Sequence, residues 1–114
     1  MFMYLGQING VNTQGENIAD NGAMHQAFRA YVSYKERHGE EQWLPGLKYS
    51  PDQLFFIAYG QFWCKTTTKE SLYDQIMTDA HAPEQFRVNG VLRNFEMFAK
   101  TWGCPASEHT CRIW

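Results

Sequence analysis

A continuous run of helix signals between Thr13 and Gly39 constrains the fold of this chain more than any other feature. The run opens on Thr13-Gln14-Gly15-Glu16, which matches a capping box with an N-cap Thr and an acid three residues later. Gly39 follows basic residues and is typical of a helix C-terminus. We therefore predict a helix over residues 14–38. Its predicted apolar stripe consists of residues at spacings of three and four: Ala23, Ala27, Ala30, Tyr31 and Tyr34.

Three shorter segments carry helix signals of their own. Ser50-Pro51-Asp52-Gln53 is a second capping box with Pro at the first helical position. It precedes DQLFFIAYGQFWCK, which is apolar on nearly all sides, so we expect this helix to be buried on most sides. Thr67-Thr68-Lys69-Glu70 begins a third helix that runs to about Met77, and Asn94 is predicted to cap a short last helix before Gly103.

The segment TDAHAPEQFRVNGVLRN, residues 78–94, lacks a continuous helical pattern. It is broken by Ala82-Pro83 and Asn89-Gly90, which predicts irregular structure with a short extended piece around residues 86–92. The predicted fold class is mainly α, with about four helices and irregular loops.

The composition limits the classes of partner. At 114 residues the chain is long enough for one domain and too short for two. Ten basic and twelve acidic residues leave a formal charge of −2, which gives no reason to expect nucleic acid or an anionic membrane as a partner. No apolar run approaches the roughly 18 residues of a transmembrane helix, and the opening MFMYLGQING lacks the basic start of a signal peptide. Aromatic residues make up 16%, enough apolar mass to bury in a core or against a larger partner.

The chain carries three cysteines: Cys64, Cys104 and Cys111. An odd number is compatible with three reduced thiols in a cytosolic protein, or with partners outside these 114 residues. A zinc site built from Cys104, His109 and Cys111 is disfavoured, because their spacing fits no common structural zinc pattern.

Two polar groupings are candidates for chemistry. Glu16 and Asp20 are four residues apart and project from one helix face, which suits either two acids that favour the helix dipole or part of a metal site. His81 lies in a loop broken by Pro83, close in sequence to Asp79. It is either an exposed loop histidine or a side chain that rigid neighbours aim into a cleft.

Five segments occur together in one order: NGVNTQGENIADNGAMHQAFRAY, LPGL, QLFFIAYGQFWC, TDAHAPEQFRVNGVLRNFEMFAKTWGC and the terminal CRIW. Together they resemble the C-terminal part of zinc metallopeptidases of the neprilysin and endothelin-converting-enzyme family. The resemblance runs from about Gly6 to Trp114, whereas residues 1–5 do not resemble the segment that normally precedes this region. It implies that residues 6–114 are the C-terminal part of a larger helical metallopeptidase catalytic domain.

The resemblance implies metal-site roles for the two acids. Glu16, in ENIAD, matches the third zinc ligand of the family. Asp20 matches the acid that hydrogen-bonds one zinc-binding histidine and thereby fixes its tautomer.

The resemblance also implies roles in substrate binding and catalysis. His81 matches the histidine that stabilises the oxyanion formed at the scissile carbonyl, and Asp79 is expected to support it. Arg87 matches the arginine that hydrogen-bonds a substrate carbonyl. Phe62 and Trp63 match part of the hydrophobic pocket for the residue after the scissile bond.

The family's first two zinc ligands and its general base lie in a His-Glu-x-x-His helix, which this sequence lacks. Its four histidines are at positions 25, 38, 81 and 109, and no two are four residues apart. The chain therefore offers one of the three protein ligands of a catalytic zinc, so the remainder of the peptidase domain is required as a partner.

In this family, the counterparts of Cys64, Cys104 and Cys111 bond to cysteines upstream of this region. The resemblance thus implies disulfides to partners outside this chain, and an extracellular or plasma-membrane ectodomain location for the intact protein.

The expected function is that of the C-terminal part of a zinc metalloendopeptidase that cleaves peptides on the amino side of hydrophobic residues. We expect this chain to be inactive by itself. The alternative is a catalytically dead helical binding module derived from the same fold.

Overall fold

The computed structural model describes residues 8–105, 107, 110 and 111. Within them the backbone forms five α-helices: α1 (Gln14–His38), α2 (Pro51–Phe62), α3 (Lys69–Thr78), α4 (Glu84–Asn94) and α5 (Glu96–Trp102). The described residues contain no strand, so the mainly α prediction is confirmed, with five helices where about four were expected. The predicted atypical segment 1–5 and most of the CRIW ending lie outside the described residues. None of the helices in the described part is long and apolar enough to span a bilayer.

The predicted bounds of α1 are confirmed, but its predicted capping box is wrong. At the C-terminus Gly39 has a positive φ of 85°, and its N–H donates to the carbonyl of Lys35 at 2.7 Å. At the N-terminus the Thr13 side chain makes no cap hydrogen bond. Its backbone and hydroxyl instead donate to the carbonyl of Asn9, because the chain enters the helix through a tight turn. The first-turn acid is therefore not bonded to the N-cap.

The starts of α2 and α3 agree with the sequence signals. The hydroxyl of Ser50 accepts from the N–H of Gln53 at 3.2 Å, and the Gln53 side chain accepts from the Ser50 N–H at 2.9 Å. Thr68 caps α3 by accepting from the N–H of Ser71. The sequence predicts these two helix starts correctly because each cap depends only on residues three apart in sequence.

The predicted irregular segment around residues 86–92 is wrong, because α4 occupies it. Pro83 stands just before the helix, where its missing N–H costs nothing, and its carbonyl accepts from the N–H groups of Phe86 and Arg87. The weak helix formers Asn89 and Gly90 are overridden by packing, since Val91 is buried in the core.

Asn94 does not cap α5, which corrects a second prediction. It ends α4, and Phe95 occupies the cap position of α5 without a side-chain hydrogen bond. The Asn94 amide instead donates to Asn21 on α1 at 3.1 Å and accepts from the N–H of Cys111 at 3.1 Å. Gly103 ends α5 in the left-handed conformation, as predicted.

An aromatic core joins α1, α2, α4 and α5. Its buried members are Met24, Phe28, Phe56, Val91 and Phe95. Phe28 stacks on Phe56 with ring centroids 5.5 Å apart and meets Phe95 edge-on at 5.3 Å. This core fixes α1 against α4, and the candidate site lies along that contact.

Two predictions about buried faces are wrong. The alanines of the predicted α1 stripe, Ala23, Ala27 and Ala30, are exposed, whereas Met24 and Phe28 on the adjacent face are buried. Larger side chains remove more apolar area from water, and they decide which face packs inward. On α2 only Phe56 is buried, and Phe62 is 79% exposed.

Candidate functional site

The candidate site forms where the first turns of α1 face the loop before α4. Glu16 and Asp20 lie one turn apart on α1, and Asp79 and His81 lie in the loop after α3. Arg87 lies in the first turn of α4. Packing of α1 against α4 brings these two distant stretches of sequence into contact.

His81 lies between two carboxylates. Its Nε2 is 3.1 Å from Oε2 of Glu16, and its Nδ1 is 2.8 Å from Oδ1 of Asp79. Because a carboxylate only accepts, each of these two contacts is a hydrogen bond when the ring nitrogen that faces it carries a proton. The three side chains are 41–46% exposed, so they are accessible to a ligand.

Asp79 organises the loop that holds His81. Its Oδ1 accepts from the backbone N–H of His81 at 2.8 Å, and its own carbonyl accepts from the Asn12 side chain at 2.9 Å. The backbone hydrogen bond from His81, followed by the side-chain bond, lowers the pKa of Asp79 below its usual value. Asp79 therefore contacts both the backbone and the ring of His81.

The lowered pKa of Asp79 predicts how the loop responds to acid. Because the folded state favours the ionised carboxylate, its bonds to His81 persist below the usual carboxyl pKa of 3.8 and are lost as the pH falls through the lowered value. The His81 backbone amide should therefore titrate in NMR with a midpoint below 3.8.

The Asp79→Asn variant should remove this titration, since no carboxylate then accepts from the His81 amide. Asp74→Asn, which changes an exposed acid on α3, should leave the titration in place. A His81 amide that titrates at or above the usual carboxyl value would contradict the assignment.

Asp20 and Arg87 form the second half of the site. Nε and Nη2 of Arg87 donate to the two oxygens of Asp20, each at 2.6 Å, in a bidentate pair. The side chains of Arg87 and Asp20 are only 14% and 12% exposed, and the hydrogen bond that Arg87 donates to Asp20 is the largest of the influences that raise the pKa of Arg87. Both carboxylate oxygens of Asp20 are therefore engaged within this chain.

The end of α2 packs on Arg87. The guanidinium carbon of Arg87 lies 4.1 Å from the centre of the Trp63 ring. Tyr59, one turn earlier, donates its hydroxyl to the backbone carbonyl of Arg87 at 3.0 Å. Phe62 contacts Trp63 edge-on with centroids 5.2 Å apart and extends into solvent. Of the two predicted pocket residues, Phe62 presents the larger free apolar surface.

A salt bridge between Lys65 and Glu84 links the residues after α2 to the start of α4. Burial opposes ionisation of Glu84, but the hydrogen bonds from Lys65 and from the helix backbone outweigh it and lower the pKa of Glu84. The charged pair therefore ties the segment after α2 to the start of α4, the helix that carries Arg87.

A cavity of about 630 Å³ lies between α1 and α4. Asp20 and Arg87 form part of its wall, whereas Glu16 and His81 do not line it. Its apolar lining comes from both helices and the preceding loops, and includes Ile8, Val11, Ile18, Ala82, Phe86 and Val91.

The described residues do not by themselves fit a catalytic zinc ion. Within the ranges that the structure covers, no group of three His, Cys, Asp or Glu side chains is arranged to hold a metal. Glu16 offers one carboxylate, and a catalytic zinc needs three protein ligands.

Of the three predicted disulfide residues, Cys64 directly follows Trp63, whereas Cys104 and Cys111 lie after α5. Cys64, Cys104 and Cys111 are free and exposed. The backbone N–H of Cys111 donates to Asn94, and Cys111 forms part of the cavity wall.

Sequence reasoning missed three residues that hold the site in place: Asn12, Tyr59 and Asn94. Tyr59 had a detectable signal, because it stands four residues before Trp63, the residue that follows the last turn of α2. Asn12 and Asn94 act through contacts between distant segments, for which a single sequence carries no signal.

The chain resembles known peptidases over nearly its whole length. The model of Peptidase family M13 matches residues 2–112. The chain is 47% identical over 112 residues to Neprilysin-2 of Drosophila melanogaster, which covers 94% of this chain and 14% of that protein. It is 44% identical over 117 residues to Endothelin-converting enzyme-like 1 of Homo sapiens, which covers 98% of this chain and 15% of that protein.

A solved structure shares the fold. The chain described as Haemonchus galactose containing glycoprotein complex matches with a TM-score of 0.86 at 42% identity, over 94% of this chain and 20% of that chain. This chain spans only 14–15% of the length of Neprilysin-2 and Endothelin-converting enzyme-like 1.

Proposed function

This chain belongs to peptidase family M13, and from that premise we propose that it supplies one side of the active site of a zinc metalloendopeptidase. The observation that carries the proposal is the contact between two separate motifs. Glu16 of ENIAD lies 3.1 Å from His81, and Asp20 of the same motif pairs with Arg87. Family membership and this geometry together support peptide hydrolysis over other activities of a helical domain.

Glu16 is the proposed zinc ligand of this chain. Its carboxylate is partly exposed at the first turn of α1 and is not used to cap the helix. Asp20, one turn later, is proposed to orient a zinc-binding histidine supplied from outside these 114 residues. The bond to Arg87 holds the Asp20 carboxylate in a fixed orientation for that task.

His81 is proposed to stabilise the negative oxygen that develops when water attacks the scissile carbonyl. Asp79 fixes the ring through Nδ1, so the Nε2 atom faces the side on which Glu16 lies. When Nε2 carries a proton, it is a hydrogen-bond donor held in advance at this position, which lowers the barrier because it need not reorganise during the reaction.

Substrate binding is proposed for Arg87, Phe62 and Trp63. Arg87 retains N–H donors that Asp20 does not use, and these suit a substrate carbonyl. Phe62 and Trp63 present aromatic surface next to Arg87, which supports cleavage on the amino side of a large hydrophobic residue.

The zinc site is proposed to be completed by two histidines and a general base from a His-Glu-x-x-His segment, which these 114 residues lack. Disulfides from Cys64, Cys104 and Cys111 to that remainder, and an extracellular or plasma-membrane ectodomain location, belong to the same proposal. The three thiols are exposed and available for such bonds.

A binding module without catalysis is the second candidate. It is favoured by the exposed apolar side chains near the site, since Phe62 is 79% and Phe86 is 52% exposed. Such a module would bind hydrophobic peptides without hydrolysing them.

The two candidates are separated by assaying the chain alone and together with a polypeptide that carries the His-Glu-x-x-His part of an M13 domain. We expect no hydrolysis by the chain alone. The combination should hydrolyse a peptide with a central Phe, should be inhibited by a chelator, and should spare a matched peptide with Asp at that position. Chelator-sensitive hydrolysis by the purified chain alone would contradict the proposal, and peptide binding without hydrolysis in the combination would favour the binding module.

A further inference from the structure

We infer that Trp63 and Tyr59 are positioning residues for Arg87, and that with Asp20 they determine which edge of its guanidinium is offered to a ligand. The proposed function assigns Arg87 a substrate carbonyl but does not say what holds the arginine. The inference rests on that function only for the identity of the ligand, because the contacts around Arg87 exist in this chain alone.

Asp20 closes one edge of the guanidinium plane. It accepts from Nε and Nη2 of Arg87, both at 2.6 Å. A guanidinium has five N–H donors in one plane, so three remain, on Nη1 and Nη2. An acceptor that approaches in the plane therefore meets the terminal edge of Arg87.

Trp63 closes one face of the same plane. The guanidinium carbon lies 4.1 Å from the ring centre, well within the range of a cation–π contact. Rotation of the guanidinium would break this contact together with both hydrogen bonds to Asp20. The side chain is thus held in one orientation before any ligand arrives.

Tyr59 fixes the backbone of the same residue. Its hydroxyl donates to the carbonyl of Arg87 at 3.0 Å, and its ring meets Trp63 edge-on at 6.5 Å. Burial raises the pKa of Tyr59, and the Asp20 carboxylate raises it further, so the hydroxyl remains a donor at neutral pH. The last turn of α2 therefore holds Arg87 at both its carbonyl and its guanidinium.

This arrangement favours a neutral carbonyl oxygen as the ligand. The charge of Arg87 is already balanced by Asp20 at 2.6 Å, so a free carboxylate gains little from it. The open edge still offers donors only, which a peptide carbonyl can accept. A hydrogen-bonding site of this kind fits the backbone of a peptide better than its charged terminus.

The test is the solvent-exchange rate of the Arg87 Nε–H, measured by NMR in the isotope-labelled 114-residue chain. Trp63→Leu should raise this rate about tenfold, because loss of the aromatic face frees the guanidinium. Trp63→Phe keeps a weaker aromatic face and should raise the rate about threefold. Tyr59→Phe, which removes only the hydroxyl bonded to the Arg87 carbonyl, should also raise it about threefold.

Phe62→Leu is the matched control, since Phe62 neighbours Trp63 but does not face the guanidinium. The exchange rate of the Arg87 Nε–H in the Phe62→Leu protein should stay within about twofold of that in the unchanged chain, as expected for a surface substitution. The inference is overturned if the Trp63→Leu protein keeps its helical circular dichroism and its Arg87 Nε–H exchange rate also stays within about twofold of that in the unchanged chain. If Trp63→Leu does not fold, Trp63→Phe decides, and an unchanged rate there overturns it.

This measurement requires no peptidase activity. A failed exchange test therefore leaves the proposed function standing, whereas a failed activity assay leaves the positioning of Arg87 intact.

Discussion

Replacing Arg87 with Met should lower the free energy of unfolding by about 3 kcal/mol, because it leaves a mostly buried carboxylate without its partner. Asp20 is only 12% exposed and both its oxygens accept from Arg87. Urea denaturation followed by circular dichroism measures the change. The double variant Asp20→Leu with Arg87→Met should recover most of the loss, since it removes the charge together with its partner.

Lys100→Met is the matched control for this prediction. Lys100 pairs with Glu96 on the surface of α5, where the two side chains are 60% and 57% exposed. Its removal should cost less than about 1 kcal/mol. A loss in Arg87→Met as small as this would show that the buried pair does not hold α1 to α4.

The second large effect is expected from Phe56→Ala, which should lower the free energy of unfolding by about 3–5 kcal/mol. Phe56 is 2% exposed and packs against Phe28 at 5.5 Å and Phe98 at 5.3 Å between ring centroids. Truncation removes these contacts and leaves a cavity in the centre of the aromatic core.

Phe62→Ala provides the control on the same helix. Phe62 is 79% exposed, so its truncation should change the free energy of unfolding by less than about 0.5 kcal/mol. Equal losses at positions 56 and 62 in urea denaturation would contradict the assignment of the core.

The parts of the fold that the sequence predicted are those set by local signals. The C-terminus of α1 follows from the positive-φ Gly39, and the start of α2 follows from Ser50 and Gln53. Each of these signals acts over a few residues and does not depend on the rest of the fold.

The parts that the sequence did not predict depend on packing between helices. Pro83 and Gly90 indicated irregular structure, but Pro83 precedes α4, and burial of Val91 in the core stabilises the helix despite Gly90. The same dependence on packing explains the wrong prediction of the buried face of α1. The alanine periodicity indicated one face, whereas Met24 and Phe28 on the adjacent face are buried. Spacing alone cannot say which of two adjacent faces meets the core.

The sequence likewise predicted some features of the candidate site and missed others. The resemblance to the peptidase family identified four site residues, Glu16, Asp20, His81 and Arg87, and their roles are proposals. The pairing of Asp20 with Arg87 followed from no local pattern, because the two residues meet only through the α1–α4 contact. The resemblance implies that Trp63 forms part of a hydrophobic pocket. Its contact with the guanidinium of Arg87 was not predicted.

We expect Glu16 to bind zinc once the His-Glu-x-x-His segment is present. Zinc affinity of the combined polypeptides, measured by equilibrium dialysis, tests it most directly. Glu16→Gln should weaken zinc binding more than about 100-fold, beyond the loss typical of groups that only support a ligand. Glu36→Gln, a change of an exposed acid on the same helix, should leave the affinity unchanged. Equal zinc affinity in the Glu16→Gln and Glu36→Gln proteins would contradict the account.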